Sequence, residues 1–141
     1  MSRIYWDTML FVYWLEDHPQ YARRVSQIAA RMEERGDELC TSTFAVGEVL
    51  TGFQKRSATD RVARILATFE RPTITVLPFT LAVASHYARI RAGLGVSAPD
   101  AIHLACAAEA GTDLFLTNDA KLLGKIVPGI QFIAGLNTDL L

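Results

Sequence analysis

Residues 3–15 read RIYWDTMLFVYWL. Arg3 to Trp6 suit a short apolar strand, Asp7 interrupts it, and Thr8 to Leu15 continue as a helix that ends at the Asp17-His18-Pro19 break. A strand that runs through one acid straight into a helix is the opening of a β-α unit, and the same pattern returns along the chain. From Tyr21 to Arg35 the apolar residues Tyr21, Val25, Ile28, Ala29 and Met32 recur at helical spacing, and Gly36 stops them. Glu38 to Ser42 reads as a second strand, followed from about Thr43 by a helix that carries Glu48. Asp60 to Phe69 repeats the amphipathic stripe, Thr73 to Leu77 is a β-branched third strand, and Thr80 to Gly93 and Ala98 to Gly111 are helical. Leu114 to Thr117 gives a fourth strand, Ala120 to Leu123 a helical turn, and Ile130 to Ile133 a fifth strand.

Strands separated by one or two helices require right-handed crossovers and a sheet covered on both faces. The expected fold is therefore a three-layer α/β/α sandwich around a mainly parallel five-stranded sheet, with residues 1–141 forming one domain. In such a sheet ligands bind beyond the carboxyl ends of the strands. Asp7 and Asp119 follow the first and fourth strands, which puts both at that edge. Asp37 and Asp113 precede strands and belong at the opposite edge.

Four acids stand where a strand has ended or a helix is starting: Asp7, Glu48, Asp100 and Asp119. Each has a local alternative. Asp7 could cap its helix, Glu48 could sit on a solvated face, Asp100 completes a Ser97-x-x-Asp100 capping box, and the Thr117-Asn118-Asp119 turn could start the next turn of helix. Their joint placement argues for one acidic pocket. Two carboxylates about 5 Å apart at an effective dielectric near 20 repel by roughly 3 kcal/mol, so four together call for a cation. Oxygen-only ligation suits a hard ion, Mg2+ or Mn2+ before Zn2+, because no Cys or His stands at ligand spacing near these acids. His103, one helical turn after Asp100, could be a general base, a support to a ligand or a packed histidine. His18 and His86 have no such company. Lys121, Arg89 and Arg91 are candidate phosphate contacts at the rim.

Composition narrows the functional classes. The 14 Lys and Arg against 15 Asp and Glu leave a formal net charge of -1, so any contact with nucleic acid must be local. The longest apolar run, Met9 to Leu15, is well short of the roughly 18 residues of a spanning helix, and no basic-then-apolar leader precedes Asp7. A cytoplasmic protein without membrane contact is expected. Cys40 and Cys106 lie among apolar or small residues and read as buried free thiols.

The segments around the acids resemble the PIN-domain nucleases and, within them, toxin ribonucleases of the VapC type. The likeness rests on the strand ending in Asp7-Thr8, on Glu48 in GEVL, on Pro99-Asp100-Ala101-Ile102 leading an Ala-rich helix, and on LTND closing at Asp119. Met9 departs from the small polar residue that many relatives carry there. The resemblance implies the parallel α/β/α fold, Mg2+ or Mn2+ held by the four acids with Thr117 positioning the turn, and endoribonuclease hydrolysis of RNA phosphodiesters. It also implies a homodimer held by a small DNA-binding antitoxin. A catalytically inactive module of the same fold and a housekeeping RNA-processing nuclease are the alternatives. A receiver-type phosphoacceptor would need an acidic cluster at the first strand, and an aspartyl phosphatase would need an acid at position 9, which is Met.

The apolar helix after Asp7 raises a separate expectation. It is apolar all round, and beyond the part covered by its neighbour, Tyr13 or Trp14 should line a groove for an amphipathic partner segment.

Overall fold

The computed structural model describes all 141 residues. Its elements, in order, are β1 (Arg3–Trp6), α1 (Thr8–Leu15), α2 (Ala22–Arg35), β2 (Glu38–Ser42), α3 (Thr43–Lys55), α4 (Thr59–Phe69), β3 (Ile74–Leu77), α5 (Leu81–Gly93), α6 (Ala98–Glu109), β4 (Thr112–Leu116) and β5 (Ile130–Ala134). The five strands form one sheet in the order β3-β2-β1-β4-β5, and every neighbouring pair is parallel. No helix is long and apolar enough to cross a membrane.

The period of the strands builds the layers. Ile4 and Trp6 of β1 and Leu114 and Leu116 of β4 point to one face, where they pack with Leu10 and Phe11 of α1, Val25 and Ile28 of α2, Val49 of α3 and Phe69 of α4. Tyr5 and Phe115 alternate to the other face and join Val83 and Ile90 of α5 and the Ala-rich α6. Their rings stack at 5.0 Å. Two opposed cores, one under α1 to α4 and one under α5 and α6, make the three layers.

Two corrections follow from the backbone. Ala120 to Leu123 is a run of turns rather than helix: the amides of Leu122, Leu123 and Lys125 each reach only three residues back, so the i to i−4 ladder never starts. The fourth strand runs Thr112–Leu116, because pairing with β5 carries the ladder back to Thr112, two residues earlier than the apolar run suggests, and both partners end it at Leu116.

Both cysteines are buried and unbridged. Burial pushes the Cys40 thiol up to about 12 and the Cys106 thiol up to about 11, so both remain protonated and inert.

Candidate active site

Strand order reverses direction between β1 and β4: the chain lays down β1, β2 and β3 to one side and then β4 and β5 to the other. That switch point is where a parallel sheet opens a crevice at its carboxyl edge. Asp7 and Thr117 are the residues that leave β1 and β4 there. The Asp7 amide still bonds Leu116 O at 3.0 Å, so the sheet itself positions the acid. The Thr117 hydroxyl, fully buried, donates to Asp7 Oδ2 at 2.8 Å and accepts the Asp119 amide at 3.0 Å. One hydroxyl thus ties Asp7 to the turn that carries Asp119. Asp7 also accepts the Thr8 amide at 2.8 Å through Oδ1 as cap of α1, so capping and site membership coincide.

Glu48 reaches the same place from α3, which starts directly behind β2 with the Ser42 hydroxyl capping the Ala45 amide at 3.0 Å. Its Oε1 accepts the Thr8 hydroxyl at 2.6 Å and faces His103 Nε2 at 2.6 Å. Burial works to raise its carboxyl, but the hydrogen bonds from His103 and Thr8 outweigh this and hold it below the ordinary carboxylate range. An ionised carboxylate only accepts, so His103 Nε2 carries a proton and donates. The same nitrogen lies 3.6 Å from Asp7 Oδ1.

Behind His103 the chain of polar contacts runs into the core. Its Nδ1 is 2.7 Å from the Tyr5 hydroxyl, which donates to Ser42 Oγ at 2.8 Å. Burial pushes the Tyr5 phenol well above its usual value, so it stays a neutral hydrogen-bonding group. His103 is 3% exposed. It is packed and also connected to the site, and as the donor to Glu48 it is a positioning group rather than a free base.

Asp100 occupies the first turn of α6, its amide bonded to Ser97 Oγ at 3.3 Å. The i, i+3 spacing puts it one turn above His103 on the same helix face, toward the rim. Asp119 accepts the Lys121 amide at 3.0 Å through its Oδ1. The structure joins Asp7 and Glu48 through Thr8 and His103, and Thr117 bonds Asp7 directly. It does not draw three or more acidic, His or Cys side chains around one point as a ready ligand cage; Asp119 is linked to Asp7 through the Thr117 hydroxyl, and Asp100 is placed by the register of α6. None of the four acids has a Lys or Arg within ion-pair distance. Of the candidate phosphate contacts, Arg91 is spent on Val96 O at 2.7 Å and Arg89 lies against His86 at 2.8 Å; Lys121 is exposed.

Thr8, Tyr5 and Ser42 were not candidates in the sequence. The alternation of β1 was the available signal, since it turns Tyr5 away from Ile4 and Trp6 and toward the layer that holds His103.

A model of the PIN domain matches residues 4–125, and the chain belongs to this family of nucleases. Among solved structures it is similar to a VapBC2 complex from Rickettsia felis bound to a promoter DNA fragment, at 16% identity and a TM-score of 0.76 over 94% of this chain and 98% of that one. It is similar to DNA-bound VapBC from Salmonella typhimurium, at 22% identity and a TM-score of 0.73 over 96% and 99% of the two chains. It is also similar to VapC20 of Mycobacterium tuberculosis, a toxin that cleaves the sarcin-ricin loop, at 16% identity and a TM-score of 0.65 over 79% and 86%. At these identities the likeness is one of fold. No curated protein sequence matches the chain.

Proposed function

We propose that the chain is a divalent-metal-dependent endoribonuclease and the toxin of a toxin-antitoxin pair. The observation that carries this reading is the set of acids at the switch point, left without any Lys or Arg partner in a family of nucleases. The donor set fits Mg2+ or Mn2+: it is all oxygen, and Mg2+ is commonly bound through one or two carboxylates, with waters and substrate phosphates completing its sphere. Asp7, Glu48, Asp100 and Asp119 would hold the ion. Such an ion supplies water activation and neutralises charge on the phosphate. The chain's own contribution is orientation: Thr117 fixes Asp7, while Thr8 and His103 fix Glu48 and hold its charge in a partly buried place.

The test is cleavage of end-labelled RNA by the purified chain with Mn2+ or Mg2+, beside a thermal-shift titration with Mn2+ alone. Metal-dependent cleavage and an upward thermal shift are expected. Cleavage that is unchanged in excess chelator would overturn the metal reading, and a chain that binds Mn2+ without cutting RNA would be an inactive module. A housekeeping nuclease of the same fold would not arrest growth on expression; a toxin would, and Asp7→Ala should lift the arrest at equal protein level.

The partner reading has its own surface. Trp14, Ala29, Met32 and Ile74 line a groove of about 640 Å3 together with the acids Glu33 and Glu38, a mixed lining suited to an amphipathic segment of an antitoxin. Tyr13 does not take part: it is buried against His18 and Tyr21, and its hydroxyl accepts from Asn118 Nδ2 at 3.0 Å. Of the two aromatics named from the sequence, only Trp14 reaches this groove.

A further inference from the structure

A second open groove, of about 650 Å3, begins at Glu48 itself. It lies at the carboxyl edge, because α3 starts one residue after β2 ends and Phe79 follows the end of β3 by two residues. Phe44, Gly47, Thr51, Phe79 and Ile102 line it together with Glu48, its single charged wall. With no Lys or Arg in the lining, the groove has nothing to hold a phosphate. It offers instead two aromatic rings and small residues.

Both rings are anchored from behind. Phe44 meets His103 edge to face at 5.3 Å, and His103 is the group that fixes Glu48. Phe79 meets Tyr87 at 6.0 Å and keeps 45% of its surface exposed. Between them, Thr43, Gly47 and Thr51 recur one turn apart on α3, and a Cβ built at Gly47 meets no atom within 4 Å. Glycine is unfavourable inside a helix, and here it leaves the floor of the groove open. The Thr51 hydroxyl donates to Gly47 O at 2.8 Å, so its proton is used within the helix and its oxygen remains only an acceptor. Flat, uncharged and edged with hydrogen-bonding groups describes a nucleobase.

We propose that this groove is a subsite for one unstacked RNA base, with Phe79 as its stacking face, beside the phosphate held at Asp7 and Glu48. The inference rests on the nuclease reading above and adds a substrate class to it: RNA whose bases are unpaired next to the cleaved bond. Sequence-specific RNA recognition works largely through splayed bases on aromatic side chains, and such stacking tolerates any base identity.

The test uses a fluorescein-labelled, unstructured 12-nucleotide RNA with Mn2+, and reads affinity by anisotropy and cleavage as separate KM and kcat. Phe79→Ala should weaken affinity and raise KM about tenfold, with an unchanged thermal midpoint because the ring is half exposed. Phe79→Trp should restore binding, and Gly47→Val, which fills the floor, should weaken it. Ile126→Ala, at an exposed apolar residue outside the groove, serves as control. An RNA made abasic beside the mapped cleavage position should bind the wild type weakly and be indifferent to Phe79→Ala. If the wild type cleaves while Phe79→Ala and Gly47→Val behave like it, or if the abasic RNA stays sensitive to Phe79→Ala, the subsite is overturned and the nuclease reading stands. If sedimentation shows Phe79→Ala turning a dimer into monomers, the face belongs to a second copy and the inference falls. A wild type that neither binds nor cleaves the RNA overturns both readings.

Discussion

The two edges of one sheet treat the same residue types in opposite ways. At the amino edge, Asp37 accepts the Ser2 amide at 2.8 Å with Arg35 3.2 Å away. Asp113 accepts the Arg3 amide at 2.7 Å, and Glu38 takes Arg3 Nε at 2.7 Å. The Arg3 guanidinium also caps Ala110 O. These acids are part of how the amino terminus is stitched to β2 and β4. At the carboxyl edge Asp7, Glu48, Asp100 and Asp119 meet hydroxyls, amides and one histidine, and no arginine or lysine. The chain supplies cations where folding alone uses the acids. Where it withholds them, the acids are available to something outside the chain.

The largest expected effect tests that contrast directly. Asp7→Asn keeps the shape and the Thr117 contact but removes the central charge, so RNA cleavage should fall at least about a hundredfold while the thermal midpoint holds or rises. A folded Asp7→Asn protein that cuts at the wild-type rate would place the chemistry elsewhere. Asp100→Asn sharpens the division within the carboxyl edge. As a rim ligand it should lose cleavage by about tenfold or more with no loss of stability; undiminished cleavage would restrict the site to Asp7 and Glu48.

The amino edge should show the reverse pattern. Asp37→Ala strands the Ser2 amide in a place its carboxylate fills completely, and should cost about 1–3 kcal/mol of folding stability with kcat per folded molecule unchanged. Chemical denaturation and active-site-normalised kinetics check the two halves. The groove beside this edge gives a further comparison: its lining includes Asp37 and Glu38 as well as Trp14. Trp14→Ala should weaken antitoxin binding about tenfold by calorimetry and spare cleavage. Equal affinity would remove α1 from the partner interface. Since this groove runs along the amino edge, an antitoxin docked there needs a further segment to reach the acids.

The smallest effect is on pH. The Arg3 hydrogen bond holds the Glu38 carboxyl below its ordinary value, so its contribution is present at neutral pH and fades as pH falls through the ordinary carboxylate range near about 4.3 and below. Both side chains are more than a third solvent-accessible or close to it, at 40% and 35%, so the gain is slight and salt weakens it. Glu38→Gln should lower the thermal midpoint a little at neutral pH, and the two curves should converge in acid. Curves that stay parallel would deny the ion pair any role.

Much of this contrast could be read from the residues. Parallel crossovers require that an acid just after a strand and an acid just before one fall on opposite edges, so Asp7 and Asp119 separate from Asp37 and Asp113 without any coordinates. The class of fold followed from the spacing of apolar runs. What could not be read was set by side-chain contacts across the sheet. The Tyr5 to His103 bond joins residues 98 positions apart, and no local pattern encodes it. Helical periodicity also misread Ala120 to Leu123, where the amides bond three residues back and no i to i−4 ladder starts. Likewise the ring of acids is legible as an edge but not as a set of contacts: Glu48 reaches Thr8 and His103, and Thr117 links Asp7 to the Asp119 amide.

The bond from Tyr5 to His103 also has a consequence in time. Tyr5 pairs with Cys40 on one side and Phe115 on the other, so its hydroxyl arrives at His103 only when the three central strands are all aligned. A slip of β1 by one residue would turn that ring into the opposite core. A chain still emerging from synthesis therefore owns Asp7 and Glu48 long before it owns their arrangement, because α6, which carries His103, and β4 come only after residue 97. Until that strand docks, Glu48 lacks its held geometry, and the arrangement at the carboxyl edge is among the last parts of the fold to be completed.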